Sequence, residues 1–465
     1  MDITYELIRS WADTRGNVNS NEEIRNWLES RKTVGKVDIK KIPFSYDGFW
    51  HYDEDEGCIR NQQNSFFQIK GYQVIDEHDA IVNEQPLIIQ PEIGYLGIIC
   101  KMIDGTLNFL MQAKIEPGNI NYIQLSPTIQ ATKSNFTRMH GGTTPAYLEF
   151  FEESNKHHII VDQVQSEQAS RFYKKRNRNI IIFLGEDEDV PVYDTHCWMT
   201  LGQIKLLMQD DNIVNMDSRT VLSCIPFGRF AVEGCRLKEI EELFNDKALF
   251  KSIFKSEDIE SMTKIFNYLN DFKMFNNRRS RFVPVKSLKG WQMLEDEIVC
   301  KTPYDYKIVY CRIEIEGREV RYWEQPLVEA CGISVLGLFT TVVEGTRKYL
   351  VCVRPESGSF DGAELGPTIQ LEPTNKRNRL NDIEELFLQL MEESNGIKTD
   401  VLLSEEGGRF YHEENRNVII EIDADALKAL PEGYFWVDFR TLNEMIQYNN
   451  FVNIQLRNLL SIIDM

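Results

Sequence analysis

Apolar residues recur along this chain with two alternating periods. At the start, Leu7, Ile8 and Trp11 stand at helical spacing, and Ser20-Asn21-Glu22-Glu23 offers a cap with acids in the first turn. Residues 1 to about 35 are therefore predicted to be helical. The same period returns from Leu237 to Phe275, through Ile240, Leu243, Phe244, Leu249, Ile253 and Phe254, then Ile265, Phe266 and Leu269. Elsewhere short Ile/Val/Leu/Phe runs are punctuated by glycine. Leu96 to Cys100, Asp104-Gly105 and Leu107 to Gln112 predict a strand, a tight turn and a strand, and Val335-Leu336-Gly337 with Glu344-Gly345 repeats the pattern. Pro145-Ala146-Tyr147-Leu148 predicts a helix opening, and Leu201, Ile204, Leu207 and Met208 predict another helix after Trp198.

The pattern repeats because the text repeats. Glu84-Gln85-Pro86-Leu87 returns as Glu324-Gln325-Pro326-Leu327, and Pro127-Thr128-Ile129-Gln130 as Pro367-Thr368-Ile369-Gln370, both 240 residues on. Ser166-Glu167, Arg171-Phe172-Tyr173 and Trp198 return 238 residues on, as Ser404-Glu405, Arg409-Phe410-Tyr411 and Trp436. The expected fold class is α/β (α+β), a tandem duplication of a mixed-sheet domain with helical segments before each copy. The predicted boundaries are 1–235 for the front copy with its helical preface, 236–280 for a helical connector and 281–465 for the rear copy.

Composition narrows the function. A net charge of −20 argues against nucleic acid or an anionic membrane as the main partner, since both need a broad positive field. No apolar run approaches the roughly 18 residues of a membrane span. Met1-Asp2-Ile3-Thr4 lacks a basic segment followed by an apolar one, so the expected location is the cytosol. Nine scattered cysteines with no Cys-x-x-Cys pair are expected to be reduced core residues. An anionic small ligand would need a local basic pocket.

Differences between the copies point to where such a pocket lies. Gln112, Lys114 and Glu116 share one face of a strand by alternation, and Gln124, Ser126, Thr128, Gln130 and Thr132 share another. The rear copy keeps Arg354 and Glu356 for Lys114 and Glu116 but places Glu364, Gly366 and Glu372 where Gln124, Ser126 and Thr132 stand. Arg171, Lys174, Lys175, Arg176 and Arg178 form a basic run. Its counterpart retains Arg409 and Arg416 but reads His412-Glu413-Glu414 in between. That reversal of sign points to phosphate binding by the front copy, for which the planar arginine fork is suited. Phe172, Tyr173 and Trp198 have partners in the rear copy, so shared packing explains them as well as base stacking does.

Taken together, Met111-Gln112-Ala113-Lys114, Glu116-Pro117-Gly118-Asn119, Gln124-Leu125-Ser126-Pro127-Thr128, Ser134-Asn135-Phe136-Thr137-Arg138, His140-Gly141-Gly142, Gln165-Ser166-Glu167-Gln168, Lys175-Arg176-Asn177-Arg178-Asn179, Trp198-Met199-Thr200 and Val214-Asn215-Met216-Asp217 closely resemble the NDP-hexose 2,3-dehydratases of deoxysugar biosynthesis. The resemblance covers nearly the whole chain. It implies a homodimer of two-domain subunits, each domain Nudix-like, acting without metal or redox cofactor on dTDP-4-keto-6-deoxy-D-glucose. A C3 reductase or aminotransferase is then expected to consume the product. The Nudix box itself is decayed: Glu149, Glu152 and Glu153 survive, without the leading glycine, first glutamate or arginine.

The implied reaction removes the C3 hydrogen beside a C4 ketone and expels the C2 hydroxyl, leaving a 3,4-diketo-2,6-dideoxy sugar. It needs a base, an acid and a stabiliser of the enolate oxygen. Glu167 or His140 is expected as base, Tyr173 or His140 as acid, and Lys114 near the oxyanion. Arg171, Lys174, Arg176 and Arg178 are expected to hold the diphosphate. Gln112, Gln124, Gln130, Thr132, Asn135 and Arg138 are expected to read hydroxyls or base edges, with Ser126, Thr128 and Trp198 also lining the substrate. The alternatives are a metal-dependent nucleotide-sugar hydrolase and a non-catalytic nucleotide-sugar sensor.

Overall fold

The computed structural model describes residues 2–33, 35–44, 49–133, 144–228, 232, 234–316, 320–374, 380–427 and 429–465. Two seven-stranded mixed sheets carry the repetition into three dimensions. In the first the strands run His158–Ser166, Arg176–Leu184, Tyr95–Ile103, Thr106–Ile115, His196–Thr200, with Ile123–Ser126 joined to Thr106–Ile115 and Ile129–Ala131 to Tyr95–Ile103. The second has Ile397–Ser404, Glu414–Glu421, Ser334–Val343, Thr346–Pro355 and Tyr434–Asp438, with Ala363–Gly366 and Ile369–Leu371 in the matching places. The chain is thus a two-domain α+β protein. In each sheet the central pairing is parallel and the others are antiparallel.

Both predicted hairpins form. Asp104 and Gly105 have φ of 47° and 77°, and Glu344 and Gly345 have 51° and 75°. Two successive positive φ values make the tight turn that matches strand twist, and glycine in the second position removes half of its steric cost. The alternation from Gln124 to Thr132 is not one strand, however. Pro127 lacks an N–H, and the chain crosses there from one side of the hairpin to the other. Thr128 fills the gap: its hydroxyl donates to the Leu110 carbonyl and accepts from the Ile99 N–H at 2.9 Å, and Thr368 does the same in the rear copy. The helix expected at Pro145 begins later, at Leu148, after Tyr147 takes a φ of 63° that swings its buried ring inward, where its hydroxyl donates to the Pro191 carbonyl at 2.6 Å.

The helical prefaces dock in equivalent ways. Ser10, on helix Ile3–Ala12, donates to the Leu107 carbonyl at 2.6 Å and accepts from the Leu201 N–H at 2.9 Å. Ser252, on helix Lys247–Phe254, donates to the Arg347 carbonyl at 2.6 Å and accepts from the Phe439 N–H at 2.7 Å. Helices Asn21–Lys32 and Ile259–Phe275 likewise pack against corresponding strands, Ile123–Ser126 and Ala363–Gly366. Helix Gly234–Leu243, between the two sets in sequence, packs against Ile3–Ala12.

The copies exchange strands. Val37–Lys41, ahead of the front copy, pairs antiparallel with Tyr306–Ile315 of the rear one, while Arg279–Val283 pairs with Gln68–Ile75 of the front one. The two sheets so formed share a core that joins Trp50, Phe67, Ile88 and Phe172 to Trp291, Tyr306, Val328 and Phe410. Helices Met216–Ser223 and Ile454–Ser461 pack on each other within another core that spans both mixed sheets.

All nine cysteines are free thiols. Six are buried as expected, but Cys235 and Cys331 are exposed and Cys300 is half-buried, because they fall at a helix start, just past a strand and at a strand end. Among the described residues no helix is long and apolar enough to cross a membrane.

Candidate active site

Where the strand Thr106–Ile115 ends, a polar cluster begins. The Lys114 ammonium donates to the Gln130 carbonyl at 3.2 Å and lies 3.4 Å from the Glu116 carboxylate. Gln130 donates its amide to the same Glu116 oxygen at 2.9 Å and accepts from Ser126 at 2.8 Å and Asn215 at 3.2 Å. Asn215 in turn caps helix Met216–Ser223 through the Ser218 N–H at 2.8 Å, which sets Asp217 in the helix's first turn beside the cluster. Glu167, at the end of strand His158–Ser166, accepts the Asn177 amide at 2.6 Å, and Lys175 reaches the other end of Asn177 at 2.7 Å.

Two further members come from the rear copy. Glu406 is half-buried and accepts the Gly408 N–H at 3.1 Å, and Arg409 donates to Gln90 at 3.1 Å with its guanidinium over the Phe67 ring at 4.4 Å. The front cluster therefore combines Lys114, Glu116, Glu167, Lys175 and Asp217 with Glu406 and Arg409 from across the duplication.

Electrostatics within it are tense. Burial pushes the Glu406 carboxyl up to about 8 against the pull of Arg409, with Glu116 and Glu167 adding to the rise. Burial also raises Glu167, opposed by Lys175 and Arg457, and lowers Lys175 to about 8, opposed by Glu167. Asp217 is raised well above the ordinary carboxylate range, by burial first and then by Glu167, Glu406 and Glu116. One Glu116 oxygen and one Asp217 oxygen are buried with no hydrogen-bond partner. Unpaired buried oxygens are costly in an empty site and suit one that receives a polar ligand.

A mirror cluster lies on the rear sheet. Gln370 donates to Glu356 at 2.8 Å, Asn453 to Gln370 at 3.1 Å, and Ser166 to Glu364 at 2.6 Å. Arg171 of the front copy reaches into it, 3.0 Å from Glu372 and 3.8 Å from Glu413, with its guanidinium 4.3 Å above the Tyr306 ring. Burial pushes Glu356 up to about 7 and Glu364 up to about 8. Both folded values exceed the ordinary 4.5, so their contribution to stability is fully present below about pH 4.5 and is lost as pH rises through 7 to 8. Glu364→Gln, which reproduces Gln124 and keeps an acceptor for Ser166, is expected to raise the thermal midpoint at pH 8.5 and leave it little changed at pH 5. An unchanged pH profile would show that Glu364 is ionised in the fold.

The basic run does not form one patch. Arg171 serves the rear cluster, while Lys175 and Asn177 turn to the front one. Arg176 and Arg178 take the opposite strand face by alternation. Arg176 stacks over the Phe360 ring at 4.9 Å, and Lys174 is exposed, 5.4 Å above its neighbour Tyr173. Asp162 holds Arg178 through two 2.7 Å bonds, as Asp400 holds Arg416 in the rear copy. A pair retained in both copies is a sheet contact, so Arg178→Ala is expected to leave KM within about threefold and to cost about 0.5 kcal/mol of stability. A tenfold rise in KM would place the diphosphate on Arg178 instead.

The remaining expected residues scatter. Gln124 bonds Ser404 across the copies at 2.7 Å, and Gln112 is half-buried mid-strand opposite Ser126 and His196. Thr128 is spent on the sheet as described, Thr132 is half-buried just past it, and Trp198 is 8% exposed in a core with Leu110 and Tyr147. Tyr173 packs between Tyr72 at 5.5 Å and Phe282 at 4.8 Å, on the strand-exchanged sheet. Asn135, Arg138 and His140 lie outside the described residues. Glu149, Glu152 and Glu153 are exposed on and beside a five-residue helix, the solvated side of that element. Sequence reasoning passed over Asp217, Glu406 and Arg409. The signal was there for two of them, since Asp217 stands opposite Gln455, and Glu406 opposite Gln168.

Comparison with known proteins yields one family. A model described as NDP-hexose 2,3-dehydratase matches residues 21–225 and again 262–463. A dTDP-4-dehydro-6-deoxy-alpha-D-glucopyranose 2,3-dehydratase of Saccharopolyspora spinosa is 36% identical, over 94% of this chain and 90% of its own length. Proteins of the same description from Amycolatopsis orientalis and Streptomyces violaceoruber are each 34% identical, over 100% and 94% of this chain and 94% and 95% of their own lengths.

Proposed function

The chain belongs to the NDP-hexose 2,3-dehydratase family and is a sugar-nucleotide 2,3-dehydratase of deoxysugar biosynthesis, a hydro-lyase, and from that premise we propose that its substrate is dTDP-4-keto-6-deoxy-D-glucose, dehydrated at the front cluster. The observation that carries this placement is Lys114. Its ammonium is held at the end of a strand by the Gln130 carbonyl and beside the Glu116 carboxylate, and two carboxylates of the cluster, Glu116 and Asp217, have a buried oxygen without a hydrogen-bond partner.

Lys114 stands where a C4 oxyanion gains most. Removing the C3 proton leaves an enolate whose charge sits on O4, and an ammonium in a water-poor pocket stabilises that charge far more than it would in water. Glu167 is the base in this reading. Burial raises its proton affinity, and Asn177 and Lys175 fix its carboxylate. A carboxylate of raised pKa is the better acceptor for a carbon acid. Collapse of the enolate expels the C2 hydroxyl, and the enol relaxes to the 3,4-diketo-2,6-dideoxy sugar nucleotide. We take the enzyme to work in the cytosol as a homodimer, with a C3 reductase or aminotransferase removing the unstable diketone.

Incubation with the 4-keto sugar nucleotide followed by mass analysis tests the reading. Loss of one water is expected. Release of a sugar phosphate that depends on magnesium would favour a hydrolase, and unchanged ligand a sensor.

A further inference from the structure

We propose that Asp217 is the catalytic acid that gives its proton to the departing C2 hydroxyl. This inference rests on the placement of the reaction at the front cluster. Glu167 can serve as base there, but the step that breaks the C2–O bond also needs a proton donor, and Tyr173 packs with Tyr72 and Phe282 on another sheet.

Asp217 meets the requirements of that donor. The residue is 2% exposed, it stands in the first turn of the helix whose cap, Asn215, bonds Gln130, within electrostatic reach of Lys114, and its Oδ1 has no hydrogen-bond partner. Burial is the first force against a charge on it, and Glu167, Glu406 and Glu116 add to that against the pull of Lys114. The carboxyl therefore rests neutral, with a hydrogen to give. Neutral carboxylic acids of this kind are the usual proton donors of buried sites.

The mirror copy supports the assignment. Its cluster keeps counterparts of Lys114, Glu116, Gln130, Glu167 and Asn215 in Arg354, Glu356, Gln370, Glu405 and Asn453, but Asp217 is replaced by Gln455. Glutamine fills similar space and also has a buried oxygen without a partner, yet it has no acidic proton to deliver. The position tolerates a neutral polar group in both copies, and only the front one can titrate.

The step balances. The C3–H bond breaks and its proton passes to the base, while its electron pair forms the C3–C4 double bond and carries charge to O4. The O4 charge then returns to re-form the carbonyl, the C3–C4 pair shifts to C2–C3, and the C2–O bond breaks with its electrons going to oxygen. That oxygen takes the Asp217 proton and leaves as water. The proton held by the base restores the charge balance of the cluster.

The test separates the two proton transfers. Asp217→Asn and Asp217→Gln are incubated with the 4-keto sugar nucleotide in deuterium oxide, and product formation and deuterium at C3 of recovered substrate are followed together. Thermal denaturation checks the fold of both. Expected is a loss of dehydration of about 100-fold or more, with C3 exchange within about tenfold of wild-type turnover. Dehydration within about threefold of wild type in either folded variant would overturn the proposal. So would loss of exchange together with dehydration in a folded variant, since Asp217 would then act before the C–O bond breaks. A wild-type enzyme that removes no water from this substrate would instead remove the reading on which the proposal rests.

Discussion

Lys114→Met is expected to lower kcat by roughly 10²–10³-fold, the usual cost of deleting one oxyanion-stabilising donor. The thioether keeps the length of the side chain but has no charge and cannot donate to the Gln130 carbonyl. Because Lys114 acts on the enolate, solvent exchange at C3 should fall with dehydration, in contrast to the Asp217 variants. Lys114→Arg reproduces Arg354 of the rear copy and restores the charge, so it should recover part of the rate. Deuterium exchange and product formation in the same sample check this, and normal exchange by a folded Lys114→Met would move the oxyanion contact elsewhere.

Gly118→Ala is expected to destabilise the whole chain by about 3 kcal/mol, at the upper end for overpacking. A Cβ at Gly118 would lie 1.5 Å from the Phe410 carbonyl oxygen, and at Gly358 1.8 Å from that of Phe172. Neither contact can yield, because both oxygens are backbone. The Gly118 N–H donates to Gly407 at 2.7 Å and its carbonyl accepts the His412 N–H at 2.7 Å, while Gly358 makes the same pair of bonds with Ala169 and Lys174 at 2.9 and 2.7 Å. Each copy thus locks a glycine loop into the other. Thermal denaturation should show a lowered midpoint for either variant. Loss of activity is also expected for Gly118→Ala, because Glu116 and Glu406 flank that joint. A Gly118→Ala protein as stable as wild type would mean that the copies are not joined there.

The interlocking also explains which parts of the site were legible beforehand. Lys114, Glu116, Gln130 and Ser126 were readable as polar positions on inner strands, and they do meet. Arg171 and Lys175 read as neighbours in one basic run, yet one bonds Glu372 in the rear cluster and the other lies beside Glu167 in the front. Between them the chain turns at Lys174, whose φ of 49° changes the direction of the backbone. Linear charge could not reveal this, because a left-handed residue breaks the alternation on which the reading depended. Similarly, Thr128 read as one of five residues on a polar face, but the proline before it moves the chain to a different neighbour.

Local chemistry in the text was enough to determine the duplication, the two glycine hairpins, the helix capped by Ser20 and the mixed α+β character, since turns, caps and periodicity act over a few residues. Only the tertiary structure decided that the copies trade strands and arginines, and that a carboxylate from one half completes the cluster of the other. Those contacts join residues some 200 to 300 positions apart, and their partners are selected by packing and by the cost of leaving buried charge unpaired, neither of which is written in local order.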